Sequence, residues 1–270
     1  CRANGIADAD CPDTQVEQYL GGNPDLQAET SESFNVGVII DPIDGLSISV
    51  DWWTIELEEA VSSTGLQDVI TFEQAGNLPP GVIVNRDPNS GQITRCTSAV
   101  KAPACGIINP FANLAALDLE GYDVRAQYNL DTDSAGSFQA MLEYSKLEEY
   151  DRQSTPLAAK ASVLGTEGTP EVRYNLGLRW TMNDWTVSYA YHYIDGFDGP
   201  GGNSKYDDWD SMDLNVTWVT PWDGELSFGA RNITDEDPSI SSDGSYDDTT
   251  VLTLYDVAGR TPYVSYKHFF

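Results

Sequence analysis

The side chains able to do chemistry in this chain are mostly acids and aromatics. Asp and Glu number 43 against 14 Lys and Arg, a net charge of −29, and there are only two histidines, His192 and His268. No His-Glu-x-x-His, no G-x-S-x-G and no glycine-rich phosphate loop occurs, so neither a nucleophilic triad nor a catalytic metal is indicated. Carboxylates this numerous always bring some pair close, so paired-acid glycosidase chemistry cannot be argued from their presence. The same imbalance leaves little to neutralise phosphates and argues against nucleic acid as a partner. What remains is binding. Tyr193, Phe197, Tyr206, Trp209 and Tyr246 lie near or within acidic loops. Aromatic faces beside carboxylates suit sugars, by stacking and by hydrogen bonds to hydroxyls. An anionic ligand would be repelled unless Arg or Ca2+ intervened. The clusters Asp207, Asp208, Asp210 and Asp243, Asp247, Asp248 offer oxygen ligands to Ca2+ but lack EF-hand spacing. Solvated loop acids are the plainer reading of both clusters.

The four cysteines fall in two local pairs, Cys1 with Cys11 and Cys96 with Cys105. Even numbers at short range in polar sequence predict two disulfides in an oxidising compartment. A lipidated Cys1 is the alternative, and it would leave Cys11 without a partner. No Cys/His spacing fits zinc.

The elements that must carry these loops are strands. From Tyr174, one face reads Tyr174, Leu176, Leu178, Trp180, Met182 and the other Arg173, Asn175, Gly177, Arg179, Thr181. After a turn at Asn183-Asp184, Trp185, Val187, Tyr189, Tyr191 and Tyr193 alternate with Thr186, Ser188, Ala190 and His192. A side-chain period of two gives each run one apolar and one polar face. The same alternation recurs from Phe34, Leu46, Tyr122, Phe138, Met212 and Leu226. A short helix is expected near Gly65–Gln74, and a hairpin pairing Val82–Asn85 with Gln92–Cys96.

Short turns near residues 43, 133, 183 and 222 alternate with long connections. Trp180, Trp185, Trp218 and Trp222 cluster at the short-turn ends, where an aromatic girdle belongs. Polar faces that recur strand after strand, with apolar faces opposite, predict an all-β transmembrane antiparallel barrel with long extracellular loops and short periplasmic turns. Mean hydropathy of −0.35 does not conflict, because only alternate residues need be apolar. On this reading Asp51, Asp123, Arg125, Glu143, Arg173, Arg179, Asp213 and Arg231 face the lumen, where they pair with one another and with water or touch whatever fills it. About nine strands are counted, an odd number that cannot close a single-chain bacterial barrel, so the chain is expected to be the C-terminal portion of a larger one. The lack of a signal peptide points the same way.

Three segments at predicted strand boundaries carry a family resemblance. Asn23-Pro24-Asp25-Leu26 with Glu29 and Ser31 resembles N-P-x-L-x-x-E-x-S at the start of a late barrel strand. Asn232-Ile233-Thr234-Asp235-Glu236-Asp237-Pro238 resembles N-L-F-D-K-D-P after the penultimate strand. Tyr255-Asp256, Gly259-Arg260 and the terminal Phe270 resemble a closing Y-D-x-x-G-R and C-terminal aromatic. Together they resemble TonB-dependent outer-membrane receptors. The resemblance implies a 22-stranded barrel filled by an N-terminal plug, importing a scarce nutrient such as a ferric siderophore or carbohydrate with energy delivered by TonB. It makes residues 1–270 roughly strands 14 to 22, without the plug or the TonB-contacting segment. It also implies outer-membrane lipid as a partner. Val264, Tyr266 and Phe270 would then form the signal read by the barrel assembly machinery, with His268 interrupting its apolar period. A plugless outer-membrane pore and a secreted carbohydrate-binding β-protein are the alternatives. No enzymatic activity and no obligatory cofactor is expected.

Overall fold

The computed structural model describes residues 17–153, 158–166, 168–199, 204–240 and 254–270. Fifteen strands and one helix occur in these segments. In chain order they are β1 (Gln18–Gly21), β2 (Thr30–Ile43), β3 (Leu46–Ser62), α1 (Leu66–Ala75), β4 (Ile83–Val84), β5 (Ile107–Pro110), β6 (Ala112–Thr132) and β7 (Gly136–Gln153). Then follow β8 (Ala161–Ser162), β9 (Val172–Met182), β10 (Trp185–Ile194), β11 (Phe197–Asp198), β12 (Lys205–Tyr206), β13 (Trp209–Thr220), β14 (Gly224–Arg231) and β15 (Thr261–His268). Among the described residues no helix is long and apolar enough to cross a membrane.

Nine long strands lie side by side in the order β15-β14-β13-β10-β9-β7-β6-β3-β2, with β8 added against β7. Each is hydrogen-bonded to its sequence neighbour among the long strands, a meander that needs no crossover. The nine strands expected from periodicity are these nine. They run further than the apolar alternation does. β6 begins at Ala112 and β7 continues to Gln153, where Tyr122 and Tyr144 mark the edge of regular alternation. Alternation is enforced only where one face is apolar; beyond that height the ladder continues on backbone hydrogen bonds alone.

The two faces are sorted by contact as well as by pattern. On the apolar face, Tyr122, Tyr144 and Tyr174 stack in succession at 6.1 and 6.4 Å, and Tyr193 stacks on Tyr174 at 4.7 Å. At the short-turn end of the same face Trp185 stacks on Trp218 at 5.7 Å, and Trp222 meets Trp218 edge-on at 5.4 Å. Phe34, Val36, Val38 and Ile40 of β2 are each at least half exposed, as are Val264 and Tyr266 of β15. Apolar side chains left this open in rows mark a surface that contacts a membrane or another protein.

The polar face is built differently. Two of its aromatic side chains lie across strand glycines. The Trp53 indole covers Gly121, where an added Cβ would come within 2.9 Å of the ring, and it donates to Asp123 Oδ2 at 3.0 Å. Tyr263 lies over Gly229, and its hydroxyl accepts from Asn215 Nδ2 at 2.9 Å. Phe269 extends the same parity beyond β15. An aromatic folded over a glycine restores packing that the glycine gives up and pins the register.

The long connections hold their own small cores. One compact unit contains α1, the parallel pair β1–β5 and the antiparallel pair β4–β5. Val69, Val82 and Ile107 form its core. Helix α1 starts one residue after the expected Gly65 and ends at Gly76 in the left-handed region, a conformation that costs glycine little. The expected hairpin is present in reduced form. A single bridge joins Arg86 and Ile93, and Val84 pairs instead with Ile107. Cys96 and Cys105 are disulfide-bonded, as expected. Cys1 and Cys11 lie outside the described residues.

Candidate functional site

The five aromatics expected to meet ligand do not form one platform. Phe197, Tyr206 and Trp209 are about 95% buried, in one cluster with Ile194 and Tyr255. Phe197 stacks on Tyr206 at 4.7 Å and Trp209 tilts against Tyr255 at 5.4 Å. The short hairpin β11–β12 places the first two rings face to face. Their faces are therefore used in holding the loop, not open to a sugar. Burial pushes the Tyr255 hydroxyl up to about 12. Tyr193 belongs to the tyrosine row on the apolar face, since β10 alternates and Tyr193 shares parity with Val187 and Tyr189. Tyr246 lies outside the described residues, as do Asp243, Asp247 and Asp248. Loop composition alone could not separate a ring packed under a loop from one displayed on it.

Among the described residues no three acidic, cysteine or histidine side chains converge on a metal-sized point. Asp210 pairs with Tyr193 in the ladder and stands near Tyr191, while Asp208 stands near Tyr193. Asp207, Asp208 and Asp210 straddle a strand start, so their side chains do not gather.

Several of the polar-face charges have visible partners. Arg125 Nε lies 3.2 Å from Glu143 Oε1. Asp123 accepts from Trp53 and from Ser145 Oγ, the latter at 2.5 Å. Asp51 lies against the backbone at Gly37. Asp213 Oδ1 accepts the Asn232 N–H at 2.9 Å and its Oδ2 stands 3.8 Å from His192 Nε2, whose ring Nδ1 meets Asn175 Oδ1 at 2.7 Å. Among the described residues, Arg173, Arg179 and Arg231 have no carboxylate within ion-pair distance, although the chain carries three acids for every base.

The boundary motifs also acquire a physical account. Asn232, 4% exposed, takes the left-handed conformation and closes its loop from both ends. Its Oδ1 accepts the Glu236 N–H at 2.9 Å and its Nδ2 donates to the Glu236 carbonyl at 2.8 Å. Asp235 Oδ1 accepts the Arg260 N–H at 2.7 Å. The two C-terminal motifs are thus one joint between β14 and β15. Asn23 Oδ1 accepts the Asp25 N–H, and Glu29 Oε1 accepts the Val61 N–H at 2.6 Å, fixing the approach to β2. At the other end of the chain Tyr266 stacks on His268 at 6.2 Å, and His268 meets Phe270 edge-on at 4.7 Å. His268 therefore bridges the aromatic row it was expected to interrupt.

Sequence reading passed over Arg95 and Lys101, which sit beside and within the disulfide loop. Arg86 by contrast is held by Glu73 through two hydrogen bonds, at 2.8 and 2.7 Å, which push its pKa up. Arg95 and Lys101 are exposed and, among the described residues, have no such partner.

A meander of long strands with one lipid-like and one polar face, short turns ringed by tryptophan and folded long loops defines a portion of a transmembrane β-barrel. The chain belongs to the TonB dependent receptor-like β-barrel family, whose profile matches residues 5–233. None of the curated protein sequences matches it significantly. Solved structures do. A ferric enterobactin receptor (PfeA) mutant from Pseudomonas aeruginosa superposes with a TM-score of 0.60 at 15% identity, over 93% of this chain and 32% of that one. The siderophore receptor PirA from Acinetobacter baumannii gives 0.59 at 16% identity, over 93% and 33%. The FrpB iron transporter from Neisseria meningitidis gives 0.58 at 8% identity, over 92% and 32%. At such identities the likeness is one of fold. The chain spans about a third of the length of these receptors.

Proposed function

We propose that residues 1–270 are the C-terminal wall, roughly strands 14 to 22, of an outer-membrane receptor that imports a ferric siderophore, energised by TonB through a plug outside this chain. The observation that carries the membrane part is the pair of aromatic belts. Tyr174 and Met182, the latter paired with Trp185, are eight residues apart on β9. At ~3.4 Å per residue and a tilt of 35–45°, that is roughly 20 Å of height, near the ~25 Å apolar band of such barrels. Lipid thus faces the tyrosine and tryptophan rows, and the charged face lines the lumen. The barrel assembly machinery would read the last strand through Val264, Tyr266 and Phe270.

Two features favour a siderophore over a sugar. The loop aromatics that would stack on a sugar are packed against one another. Arg95 and Lys101 stand without a carboxylate partner among the described residues, and they suit an anionic ferric complex. The structural relatives named above include siderophore receptors, which agrees with this choice. The test is uptake of radio-iron as ferric enterobactin by cells expressing the full-length receptor, with and without TonB. TonB-dependent accumulation that falls at least tenfold in the Arg95→Glu, Lys101→Glu variant is expected. TonB-dependent uptake of an oligosaccharide with no iron accumulation would overturn the substrate choice, and TonB-independent diffusion would favour a plugless pore.

A further inference from the structure

Tyr193, Asp208 and Asp210 stand together, but on the apolar face rather than in a cargo-binding loop. Tyr193 ends the stacked row of Tyr122, Tyr144 and Tyr174, its ring 4.7 Å from that of Tyr174. Three carboxylates flank it. Asp210 is its cross-strand partner on β13, and Asp208 stands near it. Asp195 Oδ1 accepts from the Tyr193 hydroxyl at 3.4 Å and from the Gly196 N–H at 3.1 Å, so ring and carboxylate are both held. Asp208 is exposed, and Asp195 and Asp210 are half-buried. Two residues beyond the row, on the same parity, come Glu120 on β6 and Lys146 on β7. Lys146 is the one cation of this parity within four residues of the row among the described residues, and it is engaged. Its Nζ lies 2.8 Å from Glu148 Oε1 and 6.0 Å over the Tyr122 ring. At its outer edge the tyrosine row thus opens onto carboxylates.

We propose that Tyr193, Asp208 and Asp210 bind the uncharged sugar headgroup of an outer-leaflet glycolipid, and that this stretch of the belt selects such lipids over those with phosphate headgroups. The inference rests on reading this face as the lipid-facing one. A phosphate at this height would be repelled by three acids, with Lys146 already paired. Those acids do not converge on a metal-sized point, so they are not arranged to hold a divalent ion that would bridge to phosphate. A sugar meets both halves of the site. Its hydroxyls donate to the carboxylates, in hydrogen bonds strengthened by the charge, and its C–H face packs on the tyrosine ring. The partner is a lipid rather than a free sugar because the same face continues below the row into exposed apolar side chains, Leu178 and Leu214 among them. Acyl chains lie there, directly beneath the headgroup.

The test is lipid competition on the full-length receptor purified from outer membranes. Monoglucosyl diacylglycerol and phosphatidylglycerol with matched acyl chains are added in equal amounts, and native mass spectrometry counts the lipids retained. The glycolipid is expected to be retained at least threefold over phosphatidylglycerol. That ratio should fall at least twofold in the Asp208→Asn, Asp210→Asn variant, and Tyr193→Leu should lose glycolipid without gaining phosphatidylglycerol. Equal retention by the unaltered receptor would overturn the proposal. Preferred retention of phosphatidylglycerol, abolished by EDTA, would show carboxylates bridged to phosphate by divalent cations and overturn the sugar. A glycolipid preference unchanged in both variants would overturn the assigned residues, and displacement of the glycolipid by free methyl glucoside at equal concentration would overturn the lipid as partner. Lipid retained without selectivity refutes only the sugar. No lipid of either kind retained, together with a tolerated Leu178→Arg, refutes the reading of the face. Siderophore uptake bears on neither result.

Discussion

Leu178 offers the sharpest check on which face meets lipid. It lies on β9 four residues from Tyr174 and four from Met182, the two belt positions, so it sits at mid-height. It pairs with Ala140 and Tyr189 and is 44% exposed. An arginine at the bilayer midplane of a barrel costs ~2–4 kcal/mol, falling to ~0–1 near the interfaces. Leu178→Arg is therefore expected to lower the folding equilibrium by roughly 30- to 700-fold. Gln127 is the control. It lies on the polar face of β6, and among the described residues its only side-chain hydrogen bond is a long one of 3.5 Å to Asn129. Gln127→Arg should shift stability by no more than about 0.5 kcal/mol, as at an ordinary polar surface position. The assay is reversible denaturant unfolding of the full-length receptor in phospholipid vesicles, following tryptophan emission. If Leu178→Arg costs no more than Gln127→Arg, the face assignment is wrong, and with it the lumen placement of every charge discussed above.

Other consequences concern the loops. Phe197→Ala should destabilise its loop by about 3–5 kcal/mol, the usual cost of emptying a buried aromatic site, seen as faster hydrogen exchange across residues 194–209; a loss of ligand affinity with unchanged exchange would return Phe197 to the binding surface. Tyr255 holds its proton more tightly when folded than the ordinary value near 10. The stabilisation is complete below pH 10 and is lost as pH rises from there through about 12, so protease resistance of this loop should fall in that window and become flatter in Tyr255→Phe. Removing the Cys96–Cys105 bond by a double alanine substitution opens a loop closed over a nine-residue separation. That should cost the unit around α1 about 3 kcal/mol, read as earlier thermal loss of helix signal. Asn232→Ala removes both bonds that close the β14–β15 connection and is expected to cost about 1–3 kcal/mol; an unchanged unfolding midpoint would refute its role as the joint.

Alternation by itself determined most of this protein. A period of two fixes which residues share a face, so the nine strands, their turns, the row of tryptophans and the side on which the charges from Asp51 to Arg231 fall were all legible before any coordinates. The boundary motifs were legible as a resemblance, although only the structure shows Asn232, Asp235 and Arg260 meeting at one joint. The loops were not legible, because no period governs them. Phe197, Tyr206 and Trp209 look the same in sequence whether they are buried or displayed. Their burial follows from Tyr255, nearly fifty residues beyond Trp209 in the chain, folding onto the same cluster. Tyr193 reads two ways in sequence, by strand parity and by nearness to an acidic loop, and its ring stacks on Tyr174 in the tyrosine row. Which polar-face residues become neighbours required cross-strand register. Arg179, Ser188, Asn215, Gly229 and Tyr263 come from five strands and stand side by side only because each strand pairs with the next, joining residues far apart in the sequence.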